Sequence, residues 1–135
     1  MIENELSVRV YLEDTDAFGL VYHTNFLKYC ERTRTDLLEQ CGYTIGEMLS
    51  KGTLFVVVEM LVKFHRPARL HDVLDVRTSA RRVSDYRVNF DHKVYLRGGD
   101  DKPIFTATAK VVTIDAEGQL CPLPDELLAE DMLSE

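Results

Sequence analysis

From about Asn25 to Cys41 this chain carries the spacing of a long helix, and nearly everything after Phe55 alternates two by two. That imbalance constrains the fold more than any single residue. Phe26, Tyr29, Cys30, Thr33, Leu37 and Cys41 recur at the helical period, while Glu31, Arg32, Arg34, Asp36 and Glu39 mostly take other faces. Thr24 or Asn25 is placed to cap the start and Gly42 to end it. A shorter helix is predicted after Thr44, because Glu47 follows at capping-box spacing, with a stop near Gly52.

Strands account for most of the rest. Leu6, Val8, Val10 and Leu12 alternate with Ser7, Arg9 and Tyr11. Phe55 to Phe64 is a β-branched run closed by a turn around Pro67. Leu74, Val76, Thr78 and Ala80 share one face of a third strand. Tyr86, Val88, Phe90, His92, Val94 and Leu96 share a face of a fourth, and Phe105, Ala107, Ala109, Val111 and Thr113 of a fifth. Gly98–Gly99–Asp100–Asp101 and Glu117–Gly118 supply turns. The tail from Asp125 is predicted as a short helix started by Pro124. Consecutive strands with tight turns favour an antiparallel sheet, and one long helix must cover a face of it. The expected class is therefore α+β, in two layers. With no repeat or linker in 135 residues, one domain spanning 1–135 is expected.

Charge and composition exclude several functions. A net charge of −7 argues against a general nucleic-acid binder. Arg81, Arg82 and Arg87 still concentrate enough positive charge for a phosphorylated small molecule. No run approaches a membrane span, and the acidic start is unlike a signal peptide, so a cytoplasmic protein is expected. Cys30, Cys41 and Cys121 are odd in number and lack CxxC spacing, which disfavours disulfides and structural zinc. His65, His71 and His92 show no ligand spacing, so no metal is expected.

The richest stretch is Tyr11 to Tyr29. It sets an acidic pair (Asp14, Asp16), a glycine break (Gly19) and a histidine (His23) just before the long helix. A carboxylate delivered to a helix N-terminus can work on a carbonyl whose oxygen the unpaired N–H groups hold. The segment Tyr11-x-Glu13-Asp14-Thr15-Asp16-Ala17-x-Gly19-x-Val21-Tyr22-His23-x-Asn25-Phe26 resembles the signature of hotdog-fold acyl-CoA thioesterases of the 4-hydroxybenzoyl-CoA thioesterase type. Within them it is most similar to the small bacterial enzymes associated with the Tol-Pal system. The resemblance continues through Tyr29-x-Glu31-Arg32-x-Arg34-Thr35, Phe55-Val56-Val57 and Pro67-Ala68-Arg69-Leu70-x-Asp72-x-Leu74, and weakens after about Asp115. Phe18 departs from the branch's usual glycine and Thr24 from its small residue or proline; both bear on acyl preference.

The resemblance implies a long central helix wrapped by a curved antiparallel sheet, assembled as homodimers or homotetramers with active sites at the dimer interface. It implies an acyl-CoA thioester hydrolase with Asp16 as the catalytic carboxylate and the His23 backbone N–H on the thioester oxygen. A thiol with a pKa of about 8.5 leaves as thiolate without obligatory protonation, so one carboxylate and an oxyanion site suffice. Asp16 would attack the carbonyl to give a mixed anhydride or deprotonate water; the residues leave both routes open. Gly19 is expected to turn with positive φ or admit the substrate, Tyr22 and Asn25 to shape and cap the helix start, and Phe18 to lie beside the acyl group. Asp14 reads as structural. Arg81, Arg82 and Arg87 are the candidates for the phosphates of CoA, which belongs to the substrate, so no separate cofactor is expected. An acyl carrier protein thioester is an alternative substrate. Short-chain or small aromatic acyl groups lead. The competing readings are a 4-hydroxybenzoyl- or naphthoyl-CoA hydrolase, an acyl-carrier-protein hydratase or dehydratase, and a non-catalytic scaffold that binds CoA or a carrier protein.

Overall fold

The period-two segments become β1 (Ile2–Arg9), β2 (Thr53–Phe64), β3 (Val73–Arg82), β4 (Arg87–Leu96) and β5 (Phe105–Asp115), with a two-residue β6 (Leu120–Cys121). The helical segments become α1 (His23–Gln40), α2 (Ile45–Ser50) and α3 (Ala129–Leu133). This computed structural model describes residues 1–133, so positions 134 and 135 of the expected domain lie outside the described residues. The sheet is antiparallel throughout, ordered β1-β3-β4-β5-β2, with β6 added to β5. Among the described residues, no helix is long and apolar enough to cross a membrane.

α1 covers one face of the sheet with Phe26, Tyr29, Cys30, Thr33, Leu37 and Leu38. Its end is as expected: Gly42 adopts φ 94, and the Tyr43 N–H closes back on the Leu38 carbonyl at 2.9 Å. Two apolar groups fill the interface. One gathers Phe26, Tyr29, Val76, Val94 and Phe105, the other Leu37, Phe90, Val111, Leu123 and Leu127. Between them runs a buried polar chain. Arg34 Nη1 donates to His92 Nε2 (3.1 Å), which leaves the proton on Nδ1 to donate to Thr78 Oγ1 (2.7 Å). Thr78 donates to Thr33 Oγ1 (2.8 Å), and Thr33 to the Cys30 carbonyl (2.7 Å). Burial first, then the Arg34 charge, pull His92 down to about 3, so the imidazole is neutral.

Three elements differ from the sequence expectation. β1 stops at Arg9, although the alternation runs on to Leu12. The Val10 N–H goes to the Asp72 carbonyl (2.8 Å) and the Tyr11 N–H to Asp14 Oδ2 (2.9 Å), so Leu12–Asp14 winds into a 3-10 turn. α3 begins at Ala129 rather than after Pro124, because the Arg82 guanidinium takes the carbonyls of Pro124 (2.8 Å) and Leu127 (3.0 Å). β2, expected over Phe55 to Phe64, begins two residues earlier at Thr53 and lies at an edge of the sheet. It leaves Val57, Val58, Leu61 and Phe64 exposed and bulges between Val57 and Glu59.

Candidate active site

The acidic loop is a narrow hairpin. Thr15 bridges Val21, the Asp16 N–H donates to the Leu20 carbonyl (2.8 Å), and Gly19 turns the tip at φ 75. Asp16 lies half-buried beneath that tip. Its Oδ1 accepts the N–H groups of Phe18 (2.8 Å) and Leu20 (3.1 Å), while Oδ2 takes no hydrogen bond from the described residues. One oxygen is thus fixed and the other is left without a donor among the described residues. The loop is braced by the connection between β2 and β3. Leu70 N–H donates to the Gly19 carbonyl (2.9 Å), Val21 N–H donates to the Ala68 carbonyl (2.8 Å), and Leu20 bridges Arg69.

The same hairpin delivers the chain into α1 two residues earlier than expected. Tyr22 is the N-cap and contributes no side-chain bond. Thr24 and Asn25 therefore cap nothing: the Asn25 N–H bonds the Tyr22 carbonyl (2.8 Å), and its side chain crosses to Asp14 Oδ1 (2.9 Å). The N–H groups of His23 and Thr24 have no partner among the described residues, leaving the positive end of an 18-residue helix open. The His23 imidazole is exposed and lies against the rings of Tyr22 (4.5 Å between centroids) and Phe64 (6.3 Å). It makes no hydrogen bond to Asp16, so it does not orient that carboxylate here. Phe64 continues into Phe26 and Phe105, giving the helix start an apolar wall. The sequence reading missed Phe64; its signal was a bulky aromatic closing the run just before the Pro67 turn.

Asp14, only 6 % exposed, is structural in its contacts. The Tyr29 hydroxyl is buried against it without closing a hydrogen bond, and burial, then the Asp14 charge, push that phenol up to about 12. Phe18 projects from the hairpin tip at 87 % exposure. The arginines need correction. Arg82 is 5 % exposed, its guanidinium consumed by the carbonyls of Ser84, Pro124 and Leu127, so it is unavailable to a phosphate. Arg81 is exposed but shares the far end of the sheet: Arg82 is level with Val57 across the strands, whereas His23 packs at Phe64. Six residue steps along β5, Val111 to Phe105, separate these levels, roughly 20 Å. Within one chain the Asp16 loop and these arginines are not brought together.

Comparison with known proteins decides the family. The sequence model of the thioesterase-like superfamily matches residues 10–130. The chain belongs to the thioesterase-like superfamily. Among its members, the acyl-CoA thioesterase YbgC of Haemophilus influenzae is 34 % identical over 96 % of each chain. The 1,4-dihydroxy-2-naphthoyl-CoA hydrolase of Thermosynechococcus vestitus is 31 % identical over 89 % of this chain and 82 % of its own. The solved structure of a probable thioesterase from Bartonella henselae superposes with a TM-score of 0.81 at 29 % identity, covering 91 % of this chain and all of the other. The fold is the superfamily's hotdog, with α1 as the filling.

Proposed function

We propose that the chain hydrolyses acyl-CoA thioesters to a carboxylic acid and free CoA, acting on short-chain or small aromatic acyl groups. The observation that carries this reading is the pairing of an Asp16 carboxylate, one oxygen unengaged, with the unpartnered N–H groups of His23 and Thr24. The thioester carbonyl oxygen sits on those N–H groups. As the tetrahedral intermediate forms, they meet developing negative charge in a preorganised geometry, worth about 3 kcal/mol of barrier per donor. Asp16 Oδ2 attacks the carbonyl, CoA departs as thiolate and water then hydrolyses the mixed anhydride to free the acid and Asp16. Alternatively, Asp16 Oδ2 takes the proton of an attacking water as CoA departs as thiolate, and the acid is released directly. CoA enters as part of the substrate, and no separate cofactor is called for.

Assembly through β2 belongs to this reading. An apolar edge strand of 12 residues with Val57, Val58, Leu61 and Phe64 exposed is a pairing surface rather than a stable free edge. Antiparallel pairing of two β2 strands lays the Phe55 end of one copy beside the Phe64 end of the other. The exposed Arg81 end of one protomer then approaches the Asp16 end of its partner, so a homodimer, or a tetramer built from it, would reunite the catalytic and phosphate-binding halves. The three cysteines are unpaired, as suits a cytoplasmic, reducing setting.

The aryl-CoA alternative draws on the rings of Tyr22, His23 and Phe64 around the helix start, which suit an aromatic acyl group. Purified protein incubated with butyryl-, hexanoyl-, benzoyl- and 4-hydroxybenzoyl-CoA, with free thiol followed, tests the proposal. Turnover of at least one thioester is expected, and the profile separates the two acyl classes. CoA binding without thiol release from any of them would leave the scaffold reading in its place.

A further inference from the structure

The helix start that the proposed chemistry uses is held in an unusual way. In a capping box, the N-cap side chain accepts the N–H of the third helical residue, and that residue's side chain returns to the N-cap N–H. Here the Asn25 backbone N–H is met by the Tyr22 carbonyl, while the Tyr22 N–H and the Asn25 side chain both turn to a residue outside the helix. The N-cap N–H, on Tyr22, goes to the backbone carbonyl of Asp14 (2.8 Å). The third residue, Asn25, gives its side-chain amide to Asp14 Oδ1 (2.9 Å). Asp14 Oδ2 is occupied by the Tyr11 N–H (2.9 Å), so the carboxylate has a donor on each oxygen and is clamped between the end of β1 and the start of α1. A Ser, Thr or Asp at the N-cap would fix the helix equally well, but its side chain would cover the first-turn N–H groups that an oxyanion needs.

We infer that Asp14 is a positioning residue, which with Asn25 anchors the first turn of α1 from the side and keeps the His23 and Thr24 N–H groups open and aimed at the thioester oxygen. This rests on the proposed Asp16 chemistry for its catalytic meaning, but not for its structural content. Asp14 touches no reacting atom; it acts through Asn25 and Tyr22. The geometry also explains why two aspartates two residues apart behave differently. Asp14 faces inward with both oxygens engaged, and Asp16 is half-buried with one oxygen left over.

The substitution Asp14→Asn tests the clamp with little change of shape. The new amide keeps one acceptor and presents a donor where the second acceptor stood, so either the Tyr11 or the Asn25 bond is lost. The double exchange Asp14→Asn/Asn25→Asp restores an acceptor for Tyr11 and a donor–acceptor pair between positions 14 and 25. Three readouts are taken on the full chain: amide hydrogen exchange along residues 23–27, melting temperature, and kcat and KM with butyryl-CoA and benzoyl-CoA. The single variant is expected to speed exchange in the first turn and to lower kcat about tenfold or more, with KM within about threefold. The double exchange is expected to recover both. Unchanged first-turn exchange in Asp14→Asn overturns the inference whether or not either thioester is a substrate. So does a loss of kcat that the double exchange leaves in place while it restores melting temperature. Asp16→Asn, run alongside, separates the two claims: full turnover there sinks the catalytic reading alone, and the exchange data still judge the clamp.

Discussion

The buried chain Arg34–His92–Thr78–Thr33 makes a quantitative claim about acid stability. His92 is wedged between the two apolar groups with its Nε2 already accepting from a guanidinium, so a second proton on the ring would face the Arg34 charge in a water-poor site. Its folded value is about 3 against 6.5 for a free imidazole. The unfolded chain therefore takes up a proton that the native fold refuses. The stability this provides is whole above pH 6.5 and drains away as pH falls toward the folded value. One proton corresponds to about 1.4 kcal/mol per pH unit, hence about 3 kcal/mol between pH 6.5 and about 4.5, a large share of the 5–15 kcal/mol typical of a domain. Urea unfolding by circular dichroism at fixed protein concentration, across that range, on the native chain and on His92→Gln is the assay. Carboxylate titrations are common to both proteins, so the difference between the two pH slopes isolates the imidazole. Parallel slopes would refute the reasoning, showing that His92 is protonated in the fold or never sealed from water.

Arg82→Ala leaves the carbonyls of Ser84, Pro124 and Leu127 without their donor and should destabilise the chain by about 3 kcal/mol, with KM of the folded fraction unchanged. A raised KM at unaltered melting temperature would return Arg82 to the substrate site. Leu61→Lys places a charge on the exposed β2 edge; sedimentation equilibrium should show dissociation to monomers together with loss of most turnover, and undisturbed assembly would remove β2 as the interface. Phe18→Gly should broaden acceptance of bulkier acyl groups in the assembled protein, where a second copy can cover the hairpin tip. An unchanged chain-length profile would take Phe18 out of the specificity argument.

Much of this was legible in the residues because it depends on period. The inward set of β4 and the α1 face from Phe26 to Leu37 follow from spacing alone, and the Glu47 N–H meets the Thr44 hydroxyl at 3.2 Å as the capping-box pattern requires. What failed were the places where a side chain distant in sequence competes for backbone groups. Asp14 draws Tyr11 off the β1 ladder, and Arg82 holds the Pro124 turn open, neither of which leaves a periodic trace. Arg82 was misread for a different reason: two adjacent arginines look like a surface patch, yet strand alternation sends one of them inward. The edge position of β2 was hidden because an apolar run looks the same whether its neighbour is another strand of the chain or a second copy of it. The candidate site residues came from motif, and their contacts came from geometry. Asn25 looked like a cap and is instead a strut.

The most direct test of the catalytic claim is Asp16→Asn, assayed by thiol release on the best substrate of the panel, with CoA binding measured by calorimetry on the same preparation. The variant keeps an oxygen for the Phe18 and Leu20 N–H groups while removing the charge from the other position. A fall in kcat of at least about a hundredfold is expected, with CoA affinity kept within about threefold. A kcat within a few-fold of the native enzyme, at equal binding, would contradict the catalytic claim.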